Sequence, residues 1–244
     1  MLYKEYFGNI QQLLNQALET QGPAIEKASR TIADSIKNGG VLHMFGCGHS
    51  QMFGMEMFYR AGGLVPVNCI LSPQVSLYPH AHWSTFSERM TGLAEEILSE
   101  EKIKPGDIML ITSIAGRYAL PYEIALGAKN RGCTLIGLYS KAFSSSVTPR
   151  HPSGHFYHEL CDILLDVGCE PGDASMSIEG LDSKFAPTSS VIGFTILESI
   201  EAQVIEDLVH DGYTPPLFVS GNLDKGDEII KKYVAQYKDR IPGL

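Results

Sequence analysis

The segment Val41-Leu42-His43-Met44-Phe45-Gly46-Cys47-Gly48-His49-Ser50 constrains the fold more than any other part of the chain. A five-residue apolar run stops at a glycine-rich turn, and Gln51 to Arg60 follow without a proline, with Met52, Met55, Phe58 and Tyr59 at helical spacing. This reads as strand, Gly-rich loop, helix. In such a unit the loop amides and the first helical turn converge on one point, and the helix dipole favours an anion there. Gly46 and Gly48 permit close backbone approach, and Ser50 stands near the N-cap position. A Gly-x-Gly turn also occurs wherever a chain reverses tightly, so the segment by itself leaves a ligand site and a plain turn equally open. Two specific readings are excluded. A dinucleotide fingerprint needs a third glycine where this chain has Gln51, and an acidic residue about twenty positions on, which Val65 to Cys69 do not supply. No Gly-Lys-Ser or Gly-Lys-Thr of a Walker loop is present.

The same unit recurs, and the recurrence sets the fold class. Ile108 to Thr112 form an apolar strand followed by the polar loop Ser113-Ile114-Ala115-Gly116-Arg117 and a helix from about Pro121 to Asn130. Thr134 to Tyr139 and Ile163 to Val167 are further strands of the buried type. Helices are expected over 3–20 and 24–37, separated by Gly22-Pro23, then over 88–98, 190–211 and 227–237; a strand is expected around 64–70 and a loop over 72–87. Strands alternating with helices argue for a doubly wound, parallel α/β sheet flanked by helices, a three-layer, flavodoxin-like or Rossmann-like sandwich. No interior linker appears. The reading is therefore one domain over 1–244, with an N-terminal helical extension over about 1–38 and C-terminal helices over about 190–244. Ligands in such sheets sit beyond the carboxyl ends of the strands, where both loops fall.

Composition narrows the function. No run of apolar residues is long enough to span a membrane, and the N-terminus lacks a signal-peptide core, so a cytoplasmic protein is expected. Five cysteines form no Cys-x-x-Cys pair and read as reduced, mostly buried residues. A net charge of −9 disfavours nucleic acid but leaves room for a local phosphate site.

Gly46-Cys47-Gly48-His49-Ser50, then Ser113 to Tyr118 followed by Ala125-x-x-Ala128-Lys129-x-x-Gly132, then Thr134 to Ser140 and Cys161 to Asp166, resemble in order and spacing the sugar isomerase (SIS) family. Arg150-His151-Pro152-Ser153-Gly154, Gly172-Asp173-Ala174, Ile178-Glu179-Gly180-Leu181, Pro187-Thr188-Ser189 and Pro215-Pro216-Leu217-Phe218 resemble a bacterial branch grouped with the phosphoheptose isomerases. The resemblance implies a phosphosugar ligand, an aldose–ketose isomerase, no cofactor and a homodimer or homotetramer. It implies that Gly46, Gly48, His49, Ser50, Ser113, Gly116 and Arg117 bind substrate and phosphate. Ala115 and Tyr118 stand where the family carries a serine and a threonine, so Arg117 is expected to supply a forked contact instead.

For the proton transfer, Glu179 is the first candidate base, at a position resembling the isomerase glutamate of the glutamine–fructose-6-phosphate transaminases, with Glu56 and His151 beside it. Glu56 and Arg60 occupy the places where phosphoheptose isomerases have a histidine and a glutamate, so no bound metal is expected. A phosphosugar sensor without turnover, and a lyase or etherase acting on a phosphosugar, remain as alternatives.

Overall fold

The computed structural model describes residues 1–244. Its centre is a five-stranded parallel sheet of β1 (Leu42–Gly46), β2 (Val67–Cys69), β3 (Ile108–Thr112), β4 (Thr134–Tyr139) and β5 (Ile163–Asp166), in the order β2-β1-β3-β4-β5. The helices are α1 (Leu2–Lys37), α2 (Gln51–Met57), α3 (Ala81–Ser87), α4 (Leu93–Ser99), α5 (Ala119–Asn130), α6 (Lys141–Ser145), α7 (Ser189–His210) and α8 (Gly226–Tyr237). A short antiparallel hairpin, β6 (Ala174–Met176) with β7 (Phe185–Pro187), precedes α7.

Side chains of the central strands alternate between two apolar layers. Ile108, Leu110, Ile136 and Leu138 face Ile32 and Ile36 of α1, Phe53 of α2 and Ile192, Ile196 and Ile200 of α7. Met109, Ile111 and Leu135 face Ile97 and Leu98 of α4 and Leu120, Ile124 and Ala128 of α5. Burial on both faces explains why these strands are continuous apolar runs instead of alternating ones.

The expected break at Gly22-Pro23 does not occur: α1 is one helix of 36 residues with Pro23 inside it. An interior proline removes a helical hydrogen bond and costs about 3 kcal/mol. Leu14, Ala17, Ile25, Ala28, Ile32 and Ile36 nevertheless pack on one core across that point, and Gln21 Oε1 accepts the Asp166 amide at 2.9 Å. Tertiary packing on both sides of the proline overrides the local signal. The stretch 72–87, expected as loop, contains a turn of 3-10 helix and α3, and the helix expected from Glu88 begins only at Leu93. α6 and the β6–β7 hairpin were not anticipated. The hairpin is tied to α7 by Asp173, whose carboxylate accepts the amides of Thr188 (3.1 Å) and Ser189 (2.8 Å) and the Ser189 hydroxyl (2.5 Å).

At the amino ends of the strands a buried polar network closes the sheet. Asp107 accepts the amides of Val41 and Lys104 and pairs with His43 Nε2 at 3.1 Å and Arg240 Nη2 at 2.9 Å.

Candidate active site at the carboxyl edge of the sheet

Gly46 ends β1 directly beside Thr112 at the end of β3, so the loops that follow the two strands emerge together. They lead in opposite directions, from β1 to β2 and from β3 to β4 on opposite sides of the β1–β3 pair; this is the topological switch point where ligands of open α/β sheets bind.

The first loop turns back on its own strand. A Cβ on Gly46 would sit 2.3 Å from the Ser50 carbonyl oxygen, so no other residue fits. The amides of Cys47 and Gly48 donate to no group of the chain. Ser50 caps α2 by position but makes no side-chain capping bond. His49 is exposed on the loop.

The second loop, Ser113 to Tyr118, leads into α5. The Ser113 amide is spent on Leu138 O (3.1 Å), but none of the five amides from Ile114 to Tyr118 donates within the chain, and α5 has no side-chain cap. Gly116 is buried at φ +68°, with Tyr157 and His158 packed against it. Five consecutive unengaged amides at an uncapped N-terminus form a ready anion cradle.

Charge around this loop is unbalanced. Four of the seven arginines pair with carboxylates: Arg30 with Asp34, Arg60 with Glu56, Arg131 with Glu95 and Arg240 with Asp107. The remaining three, Arg89, Arg117 and Arg150, pair with none, and all three gather at Tyr118. Arg89 and Arg150 lie 5.3 and 5.2 Å from its ring centroid, while Arg117 donates from Nε to Thr148 O at 3.1 Å and accepts the Arg150 amide on its own carbonyl. In a chain of net charge −9, three uncompensated guanidiniums on one loop concentrate positive potential where the free amides point.

A cleft of about 430 Å³ opens beside the first loop, lined by Cys47, Gly48, His49, Leu77, Ala81, His82, Ser84, Thr85 and Glu88. Glu88 is half-buried here, and burial pushes its carboxyl up to about 7, with Arg89 drawing it back slightly. Its backbone carbonyl accepts the Leu120 amide in the first turn of α5 at 3.1 Å, so this residue reaches both loops.

The structure thus sets Gly46 beside Thr112, so that the loop carrying Gly48, His49 and Ser50 and the loop carrying Ser113, Gly116 and Arg117 start from adjacent strand ends; Gly48 and His49 line the cleft, and no residue of the second loop does. It does not bring the three anticipated catalytic residues to the lining of this cleft. Glu56 pairs with Arg60, which lies beyond the end of α2 because the helix stops at Met57. His151 stacks on Tyr122 at 4.3 Å, accepts the Ser153 amide on Nδ1 and lies 3.6 Å from Glu123. Glu179 is exposed in the turn between β6 and β7. Glu88, Ser84 and Arg89 at this edge are not among the residues the sequence singles out, and Arg150 enters there only as part of the Arg150 to Gly154 motif. For the arginines the signal was available in the charge balance around the loop; Ser84 lay in a stretch read as plain loop, and Glu88 at the expected start of a helix that in the structure begins only at Leu93.

The SIS domain model matches residues 5–140 of the 244. A UPF0309 protein of Geobacillus kaustophilus is 38% identical over 243 residues, covering 100% of this chain and 97% of its own length. A UPF0309 protein of Listeria innocua is 40% identical over 233 residues, covering 96% and 94%. Among solved structures, a phosphoheptose isomerase from Francisella tularensis superposes with a TM-score of 0.55 at 15% identity, over 84% of this chain and 96% of the other. A phosphoheptose isomerase from Neisseria gonorrhoeae gives 0.50 at 16% identity, over 86% and 100%. At such identities these two likenesses speak for the fold alone. The family model spans more than half of the sequence and carries both loops of the site: the chain belongs to the SIS domain family.

Proposed function

We propose that this protein binds a phosphorylated sugar between the two loops and interconverts its aldose and ketose forms. One observation carries the phosphate part: the unengaged amides of Ile114 to Tyr118 lie beside the only three arginines that lack a carboxylate partner. A dianionic phosphate satisfies the donors and the charge together. In this reading Ser50 and Ser113 add hydroxyls, and the guanidiniums stand in for the hydroxyls absent at Ala115 and Tyr118. The sugar extends from the phosphate into the cleft beside Gly48 and His49. The isomerase part rests on SIS membership and on the fold shared with two phosphoheptose isomerases. A second reading, a sensor that holds the phosphosugar unchanged, is favoured by the replaced serine and threonine of the second loop.

A thermal-shift screen tests the site. Inorganic phosphate and sugar phosphates raise the melting temperature and unphosphorylated sugars do not, since only a ligand of the native state stabilises it. Equal shifts from both classes would sink the phosphate assignment. NMR of each stabilising sugar phosphate in deuterium oxide then separates enzyme from sensor: an isomerase yields the second sugar, a sensor returns the first unchanged.

A further inference from the structure

The cleft contains one carboxyl group that no other part of the chain engages. Glu101 is hydrogen-bonded by Asn68, Glu201 by the Leu64 amide, Glu123 by the Gly92 amide and Glu56 by Arg60. Glu88 has neither an ion pair nor a side-chain hydrogen bond, although it is half-buried. Its main chain is pinned at both ends, the amide on Ser84 O at 3.0 Å and the carbonyl under the Leu120 amide at 3.1 Å. The backbone is thus fixed against the start of α5, while the side chain shares the cleft with Cys47, Gly48 and His49 of the first loop. The neighbouring guanidinium that would neutralise it, Arg89, is turned to the Tyr118 ring and hydroxyl instead.

From this geometry we infer that Glu88 is the acid–base group of the site, shuttling a proton between adjacent carbons of the open-chain sugar whose phosphate lies on the second loop. The inference rests on the phosphosugar reading above. In the step itself the C2–H bond breaks and the proton passes to the Glu88 carboxylate. The electron pair forms the C1–C2 double bond of an enediol as O1 gains a proton. The proton held by Glu88 then bonds to C1, and O2 gives up its own proton to become the new carbonyl. Protons and electrons balance without an oxidant or a metal. A carboxyl that burial has moved to about 7 is close to half ionised at neutral pH, which suits a group that must both accept and return a proton. The other ionisable groups around it are Cys47 and His49 of the first loop and His82 of α3, together with the adjacent Arg89, whose charge acts on it only weakly because it is turned to Tyr118.

The test uses a sugar-phosphate epoxide, 1,2-anhydromannitol 6-phosphate, on the full-length protein. A carboxylate placed at the reacting carbons attacks the terminal epoxide carbon; the C–O bond opens, the ring oxygen takes a proton from water and an ester remains on the protein. Peptide mass spectrometry is expected to find that ester on Glu88. Inorganic phosphate at ten times its half-saturating concentration is expected to slow labelling about tenfold by competition. Glu88→Gln abolishes the label, while phosphate still raises its melting temperature as in the wild type. An ester on Glu179 or Glu56, or no ester in a protein that phosphate stabilises, overturns the assignment of Glu88 alone. A wild-type protein that phosphate does not stabilise overturns the phosphate reading, and the proposal falls with it.

Discussion

Ser113 stands at the point where β3 gives way to the unengaged amides, and on the proposed reading its hydroxyl meets the phosphate. With its backbone amide already committed to Leu138, only its hydroxyl is left to meet a ligand. Ser113→Ala is therefore expected to weaken phosphate binding by about 1–3 kcal/mol, read by titration calorimetry, without lowering the melting temperature of the free protein. Glu201 makes the opposite case, of a carboxyl with a structural role. It is 5% exposed, accepts the Leu64 amide at 2.8 Å, and burial raises it to about 7. A carboxyl raised on folding adds stability below its unfolded value near 4.5, and that stability is lost as pH climbs through 7. The full window corresponds to a change on the order of 3 kcal/mol. Glu201→Gln should flatten the stability profile between pH 4.5 and 7 relative to the wild type, as measured by urea unfolding. Parallel profiles would show that the carboxyl is not raised. Comparing the two proteins cancels the opposing contribution of His158, which burial lowers.

Among the elements, α1 shows most directly how local and tertiary signals compete. Its register is set by packing on α7 and the sheet, so Pro23 is tolerated at a cost and is not a boundary. Pro23→Ala restores the missing donor and is expected to stabilise the protein by about 1–3 kcal/mol in chemical denaturation; a loss of stability would mean that the proline relieves strain. The elements legible from the sequence were those with many residues reporting one environment. β3 and β4 were read with the bounds the structure gives, and α7 within a residue at each end, because each is an unbroken apolar run or a sustained stripe. The three-residue strands of the hairpin are too short to show a period of two, and their position depends on Asp173 reaching the start of α7 at Ser189, sixteen residues away in sequence. α3, Ala-His-Trp-Ser-Thr-Phe-Ser, has neither a cap nor an apolar stripe, and it conceals the cleft wall that carries Glu88. The two loops were legible as strand-to-helix turns because their glycines and serines directly follow apolar runs; Glu88 was not singled out, because a lone glutamate in a polar stretch carries no local signature.

Over the whole molecule, apolar surface remains on the outer side of α1, where Tyr3, Phe7 and Leu18 are 60, 66 and 77% exposed. A groove between α1 and α7 continues this surface, lined by Leu14, Leu18, Ile25 and Ile196 among others. Contiguous exposure of this kind on a long helix marks an association surface. We expect a homo-oligomer assembled through α1: light scattering at micromolar concentration should return a multiple of 26.7 kDa, and a value of 26.7 kDa would reject this. No helix is long and apolar enough to cross a membrane.

The Asp107–Arg240 pair joins positions 133 residues apart. On a chain synthesised from its N-terminus, the carboxylate that must be buried between β1 and β3 emerges long before the guanidinium that neutralises it. Until residue 240 arrives, the amino edge of the sheet holds a desolvated charge supported only by His43 and two amides, and water has reason to stay. The C-terminal segment thus acts as a late clasp, fastened on the side of the sheet away from the ligand site. Contacts formed after the folding barrier appear in the unfolding rate, so Arg240→Ala should speed unfolding while leaving the folding rate nearly unchanged. Its equilibrium cost should be about 3–5 kcal/mol, as for other buried charges stripped of one partner. Stopped-flow denaturant jumps would show this, and a change confined to the folding rate would mean that the clasp closes early.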